Sequence, residues 1–477
     1  MALLLKLTFC LCLIPVTWAM ASPAKARGGC SRRPVGAGPV ATAAPEVVHR
    51  KVLDRFLRYA AIDTASDSEA KVLPTSEGQR RFADLLVGEL QGLGLDHCGV
   101  SPNGYVFATL PATPGFNGKG IPVLGFICHL DTVPLLGPGP IRPVVHRRYG
   151  GGDLVLPGDR SQVIRVKEHR RLAEKIGSDI VTSDGTTILG ADDKAGIAEV
   201  MTALEMLREH PFPHGQIEIA FTPDEETGRG MDGFDGKGWA ARFAYTVDGE
   251  QLGEMNDETF NAASAKVTFY GRNCHPGSAK GVMVNALYAA ARFLEALPAD
   301  QRPEAVDGRA GYQHPYSVNG EEEAVTVQLI LRDFSLDGLK ARQKLVRALA
   351  TRIARGLPGM RAEVGITESY RNMKPVIDRH PFLIAAAEQA MREAGVTPVR
   401  VPIRGGTDGA RLSYQGVPCP NLFSGAENVH ARTEWIAVDD MVRAVATIVN
   451  LVRIWPEQAA ARASRKGATP ARKSGGR

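Results

Sequence analysis

The sequence predicts an α/β body interrupted by a separate, smaller α+β domain. Two observations predict this architecture. Between residues 47 and 258, short apolar runs bounded by Gly and Pro alternate with long segments of helical spacing. Between about 260 and 370 that texture gives way to alternating strands and two further helices. A third observation concerns the edge of the body: four of its strand or helix boundaries carry acids or histidine.

The elements follow in order. VVHRKVLDRFLRYAAI, from Val47, sets apolar residues at helical spacing; SEGQRRFADLLVGELQGLG is a second helix with Ser76 as its cap and Gly92 and Gly94 as its stop. YVFATL (105–110) and IPVLGFIC (121–128) read as buried strands. DKAGIAEVMTALEMLREHP (193–211) is a strong helix stopped by proline, and QIEIAFT (216–222) and RFAYTV (242–247) are strands. Strands alternating with long helices imply a largely parallel sheet. In the insert, KVTFYG and VTVQLILRDF alternate, helices cover about 284–296 and 336–356, and AEVGITESY (362–370) alternates again. The body resumes with HPFLIAAAEQAMREAG and ends in a helix near 438–455. The expected division is therefore 47–258 with 371–456 as the body, 259–370 as the insert, and tails at 1–46 and 457–477.

Composition narrows the class. With 44% hydrophobic and 23% charged residues, the 477-residue chain is neither collagen-like, disordered nor a polytopic membrane protein. The net charge of +5 resides in the tails: residues 1–45 carry five Lys/Arg and no acid, and residues 457–477 carry six against Glu457. The body is mildly acidic, which argues against nucleic-acid binding. Both tails are rich in Ala, Pro, Gly, Ser and Arg without apolar periodicity and read as solvated and disordered. Residues 7–19, after Lys6 and before Ala19-Met20-Ala21, have the outline of a secretory signal; the alternative is a true start at Met20. Without residues 1–21 the cysteines are Cys30, Cys98, Cys128, Cys274 and Cys419, an odd, scattered set with no CxxC. That set points to a reducing compartment, hence the cytoplasm, with export as the alternative. The body itself contains no integral membrane segment.

The chemistry sits at the boundaries. His129 and Asp131 follow the strand 121–128, Asp192 and Asp193 precede the helix near 194, Asp224-Glu225-Glu226 follow the strand 216–222, and Asp248 follows the strand 242–247. Ligands of open α/β sheets bind beyond the carboxyl ends of the strands, so these groups converge. Clustered acids raise one another's pKa unless a counter-charge is present, and a divalent metal supplies one. Imidazole and carboxylate donors without thiolate suit zinc, manganese or cobalt. Taken singly, each element has a plainer use: a turn histidine, an N-capping pair or a solvated acidic loop.

HLDT, GADDKAG, FTPDEETGRG, YTVDG, NCHPGSAKGVMVNA, PIRGGTDG and NVHARTE together resemble the co-catalytic zinc aminopeptidase/carboxypeptidase superfamily, and within it the peptidase T branch of tripeptide aminopeptidases. The resemblance covers about residues 47–455. It implies a zinc-peptidase-like catalytic domain with an inserted lid and dimerisation domain. It also implies two divalent ions, zinc or else cobalt or manganese, bridged by Asp192. His129 and Asp248 would complete one site, Glu226 and His430 the other. Asp131 would orient the His129 ring, and Glu225 would be the general base. His275 would stabilise the oxyanion from a partner subunit of a homodimer. Arg404 would hold the carboxylate of a tripeptide substrate, an ion pair with Asp408 being its plainer use; Asn285 and Arg332 would contribute to binding. Lys194 either supports the carboxylate cluster or pairs with a surface acid. Cys128 and Cys274 read as packing residues, since no cysteine-protease arrangement accompanies them. Dipeptidase, carboxypeptidase and N-acyl amino acid deacylase activities occur on the same scaffold, and a non-catalytic binding protein is the remote alternative.

Overall fold

Three neighbouring parallel strands set the position of everything that matters here. In a computed structural model, which describes residues 44–116, 120–137 and 139–467, Leu124–His129 runs parallel to Ile217–Thr222 on one side and Phe243–Gly249 on the other. All but one of their residues are buried, which is why they read as short unbroken apolar runs rather than as alternating strands. Asn421–Phe423 extends the parallel set beyond Phe243–Gly249. Outside this centre the eight-stranded sheet is mixed. Asp96–Val100 and Val106–Leu110 join antiparallel at one edge, and Glu254–Asn256, antiparallel to Asn421–Phe423, leads to the other. The parallel strands are thus concentrated in the middle, with one further parallel pair, Glu254–Asn256 with Val399–Arg400, at an edge; Asp96–Val100 and Val106–Leu110 are joined by a short connection that only antiparallel pairing permits.

The helix Ala191–Glu209 is buried along nearly its whole length, between the sheet and the helices Pro45–Ala60 and Val438–Gly467. Gly196 makes the close approach possible: a Cβ there would lie 2.1 Å from the Val247 carbonyl oxygen. Behind the sheet, Trp455 packs on Phe243, Tyr245 and Phe382, and its indole N–H donates to the Pro122 carbonyl (2.8 Å).

Between Asn261 and Tyr370 lies a second sheet of four antiparallel strands, in the order Tyr312–Gly320, Ala324–Asp333, Asn261–Tyr270, Arg361–Tyr370. The helices Ala286–Ala296 and Leu336–Arg355 pack on it around Phe269, Phe293, Val327, Leu329 and Val346. A third, small sheet pairs Ile180–Ser183 with Trp435–Ala437 and Pro143–His146.

Several local expectations are revised. The strand Tyr312–Gly320 was not anticipated; Pro315 and polar residues mask its period, and its register shifts between Pro315 and Ser317. Ser76 occupies the cap position without a side-chain cap bond, its hydroxyl instead accepting from Gln79 Nε2 (3.3 Å). The last helix runs through Pro456 to Gly467 rather than stopping near 455, in an Ala-rich stretch of good helix formers. The signal-like segment and most of the N-terminal tail lie outside the described residues, as do residues 468–477 of the basic C-terminal tail. Among the described residues no helix is long and apolar enough to cross a membrane.

Candidate metal centre

The carboxyl ends of the three parallel strands bring the chemistry together. His129 is the last residue of its strand and pairs in register with Thr222, so the loop 223–226 begins beside it; Asp248 is the last but one residue of the neighbouring strand. Asp192 comes from the opposite side. It sits in a non-helical first turn of Ala191–Glu209, after Gly190 in the left-handed region (φ 73°). His430, itself left-handed at φ 61°, projects from the loop between Ala426–Glu427 and Trp435–Ala437.

Two donor sets share Asp192. His129 Nε2 is 2.9 Å from Asp192 Oδ1 and 3.5 Å from Asp248 Oδ1. His430 Nε2 is 3.1 Å from Asp192 Oδ2 and 2.9 Å from Glu226 Oε1. Within each set the donor atoms lie within 4.8 Å of one another. The two oxygens of one carboxylate thus face two separate imidazole–carboxylate pairs. This donor chemistry, all nitrogen and oxygen with each imidazole Nε2 turned inward, fits two borderline divalent cations.

Electrostatics give the same account. Burial, with Asp192 nearby, pushes the Glu226 carboxyl up to about 7. Burial and the charges of Asp248, Asp408 and Glu226 push Glu225 well up, against the pull of His129. Asp192 is held down by its two histidines despite its burial, and contacts with Asp192 and Glu226 push His430 up to about 11. Such mutually raised carboxylates favour a nearby positive charge, which divalent cations would supply.

A supporting layer fixes these groups. Asp131, fully buried, accepts the backbone amides of Glu225 (2.9 Å) and Glu226 (3.1 Å), so it holds both glutamates as well as the histidine. The His129 ring meets the Asp131 backbone carbonyl at 3.0 Å and its carboxylate at 3.4 Å through Nδ1, which leaves Nε2 for Asp192 and Asp248. Asp193 accepts the His129 amide (3.1 Å). Sequence reasoning missed Glu434, whose buried carboxylate accepts the amides of Leu189 (2.9 Å), Gly190 (2.7 Å) and Asp192 (3.1 Å). The only signal for it was a lone acid, in ARTEW, before a buried strand. Lys194 is fully buried, donates to the Ile62 carbonyl (2.5 Å), and is pushed down to about 8 by burial against the charges of Asp63, Glu434 and Asp131. Its partners are internal. Cys128 is buried with its thiol pushed up, in keeping with a packing role.

Two cavities meet at Glu225. One, about 400 Å³, is lined by His129, Asp192, Asp248 and His430 together with Glu250 and Glu254. The other, about 460 Å³, is lined by Glu226, Arg332, Arg411, Tyr312 and Tyr370. Arg404 lines both. Its guanidinium donates to the carbonyls of Gly308 (2.5 Å) and Ala310 (3.1 Å) and lies over Phe260 and Tyr312; it makes no ion pair with Asp408, which accepts from Thr222 Oγ1 (2.6 Å). Arg332 donates to its neighbouring carbonyls and lies over the Tyr370 ring. His275 and Asn285 line neither cavity. His275 is exposed and accepts the Gly277 amide (3.1 Å), and Asn285 caps Ala286–Ala296 through the Leu287 amide (2.8 Å).

Comparison with known proteins agrees with this geometry. The sequence profile of Peptidase family M20/M25/M40 matches residues 184–454. A protein called Peptidase T from Geobacillus thermodenitrificans is 43% identical over 410 residues, 86% of this chain and 99% of that protein. In fold, the chain is similar to the aminopeptidase PepT of Bacillus cereus (TM-score 0.66, 23% identity, 86% of this chain and 99% of that one). It is likewise similar to a tripeptidase of Staphylococcus aureus (TM-score 0.67, 22% identity, 86% and 99%). With its profile match over more than half of the chain and a relative that it covers almost end to end, the chain belongs to Peptidase family M20/M25/M40.

Proposed function

We propose that the protein is a metallo-aminopeptidase that removes the first residue from tripeptides. The observation that carries this reading is the pair of donor sets sharing Asp192, with Glu225 at the junction of an acidic cavity and one that carries three arginines. The 43% identity to a Peptidase T and the fold shared with a PepT aminopeptidase and a tripeptidase support the substrate class. His129, Asp192 and Asp248 would hold one ion, and Asp192, Glu226 and His430 the other, with zinc as the first choice and cobalt or manganese as substitutes. Such a pair polarises the scissile carbonyl and a water when bound.

The chain's own residues do the rest. Glu225 ligates nothing in either set, so its carboxylate is free to take a proton from the attacking water and pass it to the leaving amine. Asp131 fixes the Glu225 main chain. Arg332, Arg404 and Arg411 in the second cavity suit the substrate's free carboxylate. Holding that carboxylate at a fixed distance from the donor sets limits the length of peptide that fits. Asn285 is retained only as a remote contributor to binding. The segment 259–370 would act as lid and dimerisation domain, with His275 reaching the partner's site in a homodimer and stabilising the oxyanion there. A cytoplasmic location suits an enzyme of small-peptide turnover.

The test is hydrolysis of a free tripeptide by zinc- or cobalt-loaded protein, beside its N-acetylated and C-amidated forms and a matching dipeptide. Release of the first residue from the free tripeptide alone is expected. Glu225→Gln should lower kcat by about 10²–10⁴-fold with bound metal retained. Preference for the acetylated peptide, or release of the last residue, would move the protein to a deacylase or carboxypeptidase.

A further inference from the structure

The acidic cavity has a wall that proton transfer and metal binding leave unused. Glu250 stands at its mouth and Glu254 further in, and no ion pair reaches either carboxylate among the described residues. Arg171, the basic group that acts on Glu254, pairs instead with Glu427 at 3.8 Å. Beside them Asn256 is 2% exposed. Its Nδ2 donates to the Val401 carbonyl (2.9 Å), which fixes the amide's orientation, and its buried Oδ1 accepts nothing. Three groups on one wall therefore offer acceptors, and of these only Glu254 receives a donor, the backbone amide of Gln251. Val401, Pro402 and Ile403 line the same cavity and supply apolar surface.

We propose that this wall receives the side chain of the substrate's first residue and selects a cationic one, lysine or arginine. The inference rests on the aminopeptidase reading above. A long basic side chain lays its methylenes along apolar surface and presents N–H donors at its tip, which matches Val401–Ile403 leading to Glu250, Glu254 and Asn256. A neutral side chain of the same length fills the wall but brings no cation to the carboxylates and no donor to the Asn256 oxygen. An acidic side chain is repelled.

The experiment compares kcat/KM on Lys-Gly-Gly, norleucyl-Gly-Gly and Glu-Gly-Gly with the zinc-loaded full chain. Norleucine keeps the stem and lacks the charge. Lysine should exceed norleucine by about ten-fold, with glutamate lowest. The gap should narrow as salt rises, since the Glu250 end of the wall is open to solvent. Glu250→Gln and Glu254→Gln should each move the lysine-to-norleucine ratio towards one. If either variant fails to fold, the ratio in the parent enzyme and its salt dependence decide by themselves. Equal rates on lysine and norleucine peptides, or a ratio unmoved by both substitutions, overturn the pocket and leave tripeptide cleavage standing. Failure to cleave any of the three removes the aminopeptidase reading, and the pocket with it.

Discussion

Asp192 and Glu434 show how single side chains are recruited here. Asp192 divides its two oxygens between two histidines, and Glu434 holds the turn from which Asp192 projects through three backbone amides. Burial pushes the Glu434 carboxyl up to about 7, and the three amides partly offset that rise. Glutamine at this position keeps one acceptor and introduces an NH₂ that cannot accept from amides. Glu434→Gln is therefore expected to weaken metal binding about 10–100-fold, with activity restored by added zinc. Titration of the loaded enzyme with a competing chelator reads this directly; an unshifted midpoint would show that Glu434 does not position Asp192. His129, Asp192, Glu226 and Asp248, which the structure brings together, were legible in the sequence as acids and a histidine at strand or helix boundaries, and His430 through the NVHARTE resemblance. Glu434 was not, since a positioning acid looks like any other acid until its amide partners are known.

At the scale of elements, a charged network ties three helices together behind the sheet. Lys51 and Arg55 of Pro45–Ala60 pair with Glu205 of Ala191–Glu209, and Arg55, Arg58 and Tyr59 bond Glu89 of Glu77–Gly92. Burial by itself would raise Glu89 and Glu205, but these donors outweigh it and leave both carboxyls below the usual 4.5. A carboxyl whose pKa is lower folded than unfolded stabilises the fold above the unfolded value, and that stability is lost as pH falls through the folded one. Stability should therefore decline as the pH drops below about 4.5, and Glu205→Gln should flatten part of that decline. Urea midpoints between pH 6 and pH 3 test it; parallel curves for parent and variant would exclude Glu205 from the acid response. The helices themselves were readable from their apolar spacing. The strand Tyr312–Gly320 and the small sheet through Ile180–Ser183 were not, because proline, polar residues and short length erase the period that identifies a strand.

For the whole molecule, His275 is exposed at a turn and lies outside both cavities of its own subunit. The proposed homodimer makes a quantitative prediction. His275→Ala and Glu225→Gln should each be nearly inactive alone. Co-expressed in equal amounts, they should recover about a quarter of parent activity, since random pairing makes half the dimers hybrids with one working site. No recovery on co-expression would confine His275 to its own subunit or to a structural part.

The sequence by itself determined the α/β class, the resemblance to the family and the placement of acids and histidine at strand and helix boundaries, because each depends on residue type and local pattern; the proposed ligand set and general base came with the resemblance. Only the tertiary structure decided that one carboxylate faces two histidines, that Asp131 and Glu434 hold the loops bearing Glu225, Glu226 and Asp192 by backbone amides, and that two cavities meet at Glu225. Those facts depend on contacts between residues far apart in the chain, such as Glu434 with Leu189 and Glu225 with Asp131. Patterning assigns a residue to a strand end or a turn, but packing the strands and loops selects its neighbour, and at this site the neighbour determines the chemistry.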